Sequence, residues 1–103
     1  MRPTLNCSAM ATAIICLAIV SASPAQADDS AAFGAENHEV ICNLIAQEPT
    51  TRGIWAANSY LLTAQDISLN LNYGQMQNAI GYAVNNYCTQ YAQLYAAYRA
   101  RYS

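Results

Sequence analysis

Apolar positions recur at helical spacing in three stretches of the chain, separated by turn chemistry. Over residues 28–47, Phe33, Val40, Ile41, Leu44 and Ile45 fall near one face of a helix, most firmly around Cys42. Asp28, Asp29 and Ser30 can cap its start, because acidic and hydroxyl groups satisfy free amides at a helix N-terminus. Glu48-Pro49-Thr50-Thr51 closes the run, since proline disfavours helical geometry in the residue before it. Thr50 or Thr51 can then cap a second helix over 52–64. Ile54, Ala57, Tyr60 and Leu61 share one side of that helix, flanked by Trp55 and Leu62, while Gly53 weakens its first turn.

Residues 67–73 alternate apolar and polar, the period of a half-buried strand. No second strand is there to pair with it, and a lone strand leaves its backbone groups unmatched. The expectation is a connecting loop that tucks Ile67, Leu69 and Leu71 into a helical core. The strongest local signal follows. Asn72 can cap a helix while Gln75 reaches back and Leu71 packs on Met76, a capping box with a hydrophobic staple. From Tyr73 the series Met76, Ile80, Val84, Tyr87, Tyr91, Leu94, Tyr98 predicts one long helix to Arg101, with Gly81 costing it about 1 kcal/mol relative to alanine. Arg99 and Arg101 suit the negative end of its dipole. The fold class expected is all-α: three helices with a long, tyrosine-rich last one.

The first 27 residues read differently. Arg2, a nearly continuous apolar run over 9–20 and Ala25-Gln26-Ala27 have the form of a secretory signal cleaved after Ala27. The run is too short for a bilayer span, which needs roughly 20 residues. Cys16 follows two isoleucines, where a lipid-modification signal wants a small residue. The expected mature chain, 28–103, is a single domain exported to the cell envelope or beyond. It keeps only Cys42 and Cys88 of the four cysteines, and two cysteines in an exported chain allow one bridge. Closing a loop of that size stabilises a small domain by about 4 kcal/mol on the chain-entropy argument. Such a staple suits a domain this small, which is marginal on its core alone.

Composition narrows the function. The whole chain is 54% apolar and 10% charged, which excludes a disordered chain. It has no lysine, and three arginines against six acids leave the mature part at about −3. A nucleic-acid partner, which needs clustered positive charge, is excluded.

The segments Val40-Ile41-Cys42-Asn43-Leu44-Ile45, Leu71-Asn72-Tyr73-Gly74-Gln75 and residues 79–88, ending in Tyr87-Cys88, resemble a family of small secreted actinobacterial (mycobacterial-type) domains of unknown function. The resemblance covers residues 40–91. It implies an all-helical domain with a single disulfide between its first and last helices, here Cys42 and Cys88. Where that family has a proline after the second cysteine, this chain has Thr89, so the last helix can continue. The region before the first cysteine, 28–39, is also shorter. No activity and no further functional residue follow from the resemblance.

Catalytic and metal chemistry have little to stand on. His38 and Cys42 share a helix face, but a zinc site needs three or four ligands and Cys42 is claimed by Cys88. His38 is the only histidine, and no spacing brings it to Ser30, Ser59 or Ser68; Glu36 with Glu39 and Asp28 with Asp29 read as capping and solvation. No phosphate loop or glycine-flanked nucleophile is present, so neither enzyme activity, a cofactor nor a metal is expected. The departure from average composition is eight tyrosines, with fourteen Asn and Gln in residues 28–103. Tyrosine can fill a core with its hydroxyl reaching water, or form a contact surface. Tyr91, Tyr95, Tyr98 and Tyr102 are therefore candidate binding residues, with Trp55 a second candidate. The leading expectation is a non-catalytic interaction module for an unidentified protein or envelope component. A carrier of a small apolar ligand and a self-associating envelope component are the alternatives. On this reading, Tyr95→Ala with Tyr98→Ala leaves folding intact and abolishes association.

Overall fold

A computed structural model describes residues 25–102, with side chains from Asp29 onward. The signal-like residues before Ala25 lie outside the described part. Helices α1 (Ala25–Glu36), α2 (His38–Gln47), α3 (Thr51–Ala64), α4 (Tyr73–Tyr87) and α5 (Ala92–Tyr102) follow one another, with a short 3₁₀ turn, Thr89–Tyr91, before α5. The all-α class holds, and two of the three expected helices are each divided.

The first division is at Asn37. Its side-chain amide donates to Phe33 O at 3.0 Å and its backbone leaves helical geometry (φ −114°, ψ 20°). A short amide that competes for the preceding turn's carbonyl interrupts the helix there. Asp28, Asp29 and Ser30 lie inside α1 rather than capping it. The second division is at Cys88, whose backbone (φ −142°, ψ 65°) caps α4. Cys88 is tied by a disulfide to Cys42 on α2, with Cα atoms 6.2 Å apart. The long last helix expected from the sequence therefore stops at Tyr87, and α5 folds back onto α3 and α4.

α4 is the centre of the domain. Met76, Ala79, Ile80, Ala83 and Val84 are fully buried, packed with Phe33, Ile41, Ile45, Ile54 and Leu61 from the three earlier helices. Its start is the capping box read from the sequence: Gln75 N donates to Asn72 Oδ1 at 2.8 Å and Asn72 N to Gln75 Oε1 at 2.9 Å. Leu71 and Met76 both join the core, as the staple requires. α1 lies along α4 with Gly34 at the contact, where a Cβ would collide with the Ala79 carbonyl. Thr50 caps α3, accepting from Gly53 N at 2.9 Å.

The connection from α3 to α4 differs from expectation. Leu71 is buried, but Ile67 is 91% exposed and Leu69 is 38% exposed. The Gln65 side chain pairs with both backbone groups of Leu71, accepting from its N at 2.8 Å and donating to its O at 2.9 Å. That clamp pulls residue 71 in and closes the loop beneath residues 66–70. Asp66 Oδ1 accepts from Ser68 N and Oγ, and Asn70 takes a left-handed conformation (φ 51°), which asparagine tolerates. The resulting turn carries Ile67 outward. Among the described residues, no helix is long and apolar enough to cross a membrane.

Candidate interaction surface

The five candidate residues do not form one exposed ridge. α5 runs antiparallel to α3, because Tyr98 meets Asn58 while Tyr102 meets Trp55. Tyr98 therefore points into the α3–α4–α5 junction and is fully buried. Its hydroxyl lies 2.8 Å from that of Tyr73 and accepts from Asn58 Nδ2 at 3.3 Å. Burial, reinforced by the Tyr73 hydroxyl, pushes the Tyr98 phenol well above its ordinary value. Tyr98 is core, so removing it with Tyr95 cannot leave folding intact; a large phenol at the centre of three helices supports all of them.

Tyr95 and Tyr91 are half-buried against the same core. The Tyr95 hydroxyl donates to Gln77 O at 2.7 Å and accepts from Arg99 at 3.1 Å. Gly81 makes this possible, since a Cβ there would overlap the Tyr95 phenol. The glycine that the sequence suggests as a weak point of α4 is the seat of α5.

From Tyr95 an aromatic series leads outward. Ring centroids are 5.8 Å apart between Tyr95 and Tyr98, 5.6 Å between Tyr98 and Tyr102, and 6.2 Å between Tyr102 and Trp55. At its outer end Trp55 is 41% exposed and braced by the half-buried Tyr102. The Arg101 guanidinium lies over Tyr102, 5.7 Å from its centroid, and Arg52, exposed, stands one helical turn before Trp55. The structure thus places Trp55 and Tyr102 at the exposed end of a series whose inner member, Tyr98, is buried.

Sequence reasoning missed the polar partners beneath this face. Asn58 and Gln77 are buried, and Asn58 Oδ1 and Gln77 Nε2 have no hydrogen-bond partner among the described residues. Their spacing places them on the apolar faces, Asn58 four residues after Ile54 and three before Leu61, Gln77 three before Ile80 and seven before Val84, but an amide gives no hydrophobic signal there. His38 stacks on Tyr87, 3.9 Å between centroids, and its Nδ1 lies 2.8 Å from Ala35 O. The Ser68 hydroxyl is bonded to Asp66. No group of three potential ligands among the described residues could hold a metal ion.

Two grooves on the surface are lined by described residues. One, of about 360 Å³, lies between α2 and α3 and is lined by Leu44, Gly53 and Tyr60 among others. The other, of about 330 Å³, lies between the α1–α2 junction, α3 and the loop after it, lined by Phe33, Val40, Tyr60, Ala64, Asp66 and Leu69 among others.

The architecture is that of a small, disulfide-stapled all-helical domain with a braced aromatic surface. Comparison with protein-family models, with curated proteins and with solved structures finds no match to this chain.

Proposed function

We propose that the protein is an exported, non-catalytic interaction module that contacts its partner through the Trp55–Tyr102 face. The observation that carries this reading is a large indole left 41% exposed and held against Tyr102. Aromatic and arginine side chains dominate the binding energy of protein interfaces, and a braced ring loses little freedom on contact. Arg52 and Arg101 complete that composition. Export is supported by the Cys42–Cys88 disulfide, a bond that persists in oxidising compartments. The signal-like residues 1–27 support it independently. The engagement of His38 by Tyr87 and Ala35, and of Ser68 by Asp66, favours structural duties for both over catalysis. A carrier needs a cavity that encloses its cargo, whereas the two grooves lined by described residues are open to solvent.

The test is chemical cross-linking of the exported protein in the cells that make it, comparing wild type with Trp55→Ala and Tyr102→Ala. The reading predicts a cross-linked product that both variants lose while their circular dichroism stays that of wild type. A product unchanged in both variants would move the contact elsewhere.

A further inference from the structure

The second groove and the Trp55 face are opposite in charge. The groove of about 330 Å³ is floored by Phe33, Val40, Tyr60, Ala64 and Leu69, of which Val40 is 46%, Tyr60 54% and Leu69 38% exposed. That volume has room for one indole. Asp66 stands in its wall, and the Ser68 backbone amide and hydroxyl hold its carboxyl below the ordinary carboxylate value, so it stays charged. Glu36 and Glu39, both exposed, lie within two residues of Asn37, another lining residue. Arg52, one turn before Trp55 at the start of α3, and Arg101, over Tyr102 at the end of α5, lie on the other surface.

Both surfaces share α3. Trp55 and Tyr60 are five residues apart, which places them about 140° apart around the helix and about 7.5 Å along it. Two different patches facing different ways make a heterologous contact, which propagates from copy to copy instead of closing as a two-fold dimer.

We propose that the protein associates with further copies of itself head to tail. The Trp55 indole of one copy seats in the Val40–Tyr60–Leu69 groove of the next, with Arg52 and Arg101 against Asp66, Glu36 and Glu39. This rests on reading Trp55–Tyr102 as the contact face, and it names the partner of that face. Ile67, exposed and next in the chain to the lining residue Asp66, is covered by the incoming copy.

Sedimentation velocity on the exported protein, up to about 1 mM so that even a weak association is half formed, reads the assembly directly. The expected result is a mass that grows with concentration and falls as salt is raised, since exposed charges are screened. Arg52→Glu with Arg101→Glu gives two acidic surfaces, and Glu39→Arg with Asp66→Arg gives two basic ones. Each double variant alone is expected to be monomeric with wild-type circular dichroism, and mixing the two restores association. Wild type that stays monomeric, or a mixture that does not associate, overturns the proposal. A photo-cross-linker at position 55 in the exporting cell separates this failure from that of the parent reading. Cross-links between copies support the proposal, cross-links only to a different protein overturn it while keeping the contact face, and no cross-link overturns both.

Discussion

α4 and α5 continue one another in sequence with the same three- and four-residue spacing, yet they are held by different means. α4 buries an aliphatic stripe on three other helices and carries its own start signal in Asn72 and Gln75. α5 buries a single residue, Tyr98, and is fixed by tyrosine hydroxyls, an aromatic series and the disulfide just before it. The first helix is specified locally, and the second is specified by what it meets. A helix of the second kind can fill the core from one ring and present a contact surface from the next.

This contrast can be broken at its strongest point. Cys42→Ser with Cys88→Ser removes the tie at the α4–α5 break and is expected to cost about 4 kcal/mol. For a domain this small that is a fall on the order of 20 °C in Tm. Hydrogen exchange should show α5 losing protection before α4; equal loss in both helices would mean that the two are held alike.

Asn72→Ala removes the α4 cap and is expected to cost about 1 kcal/mol, read as a shift in the urea midpoint with unchanged slope. Tyr98→Phe has an effect of similar size, about 1 kcal/mol, because it leaves Tyr73 and Asn58 without their shared partner. It also has a pH signature. The Tyr98 phenol is pushed up in the folded state, so its contribution to stability is fully present below the unfolded value near pH 10 and is lost as pH rises above it. The wild-type melting temperature should fall through that alkaline range, and Tyr98→Phe should fall less steeply. Parallel curves would remove Tyr98 from the account.

How much of this was legible follows the same division. The capping box, the α4 stripe, the turn at Pro49 and the all-α class are local signals carried by neighbouring residues. The break at Cys88 is not, because helical spacing runs on through Tyr91, Leu94 and Tyr98, and the constraint that ends α4 lies 46 residues away. The split at Asn37 depends on one amide choosing its own backbone. Ile67 alternates like a buried residue, but the Gln65 clamp on Leu71 turns it out. At the proposed contact face, composition singled out the tyrosines and Trp55 without telling Tyr98 from Tyr102. That distinction comes from the antiparallel register of α3 and α5, and Arg52 and Arg101 join the surface for the same reason.

The measurement that tests the central claim most directly is thermal melting of Tyr98→Ala beside Trp55→Ala. The account places one ring in the core and the other on a contact face. Tyr98→Ala should lose about 3–5 kcal/mol, as large aromatic truncations in a core do. Trp55→Ala should lose less than about 1 kcal/mol while abolishing association. If Trp55→Ala destabilises the fold as much as Tyr98→Ala, the indole is a structural prop and the contact face does not exist.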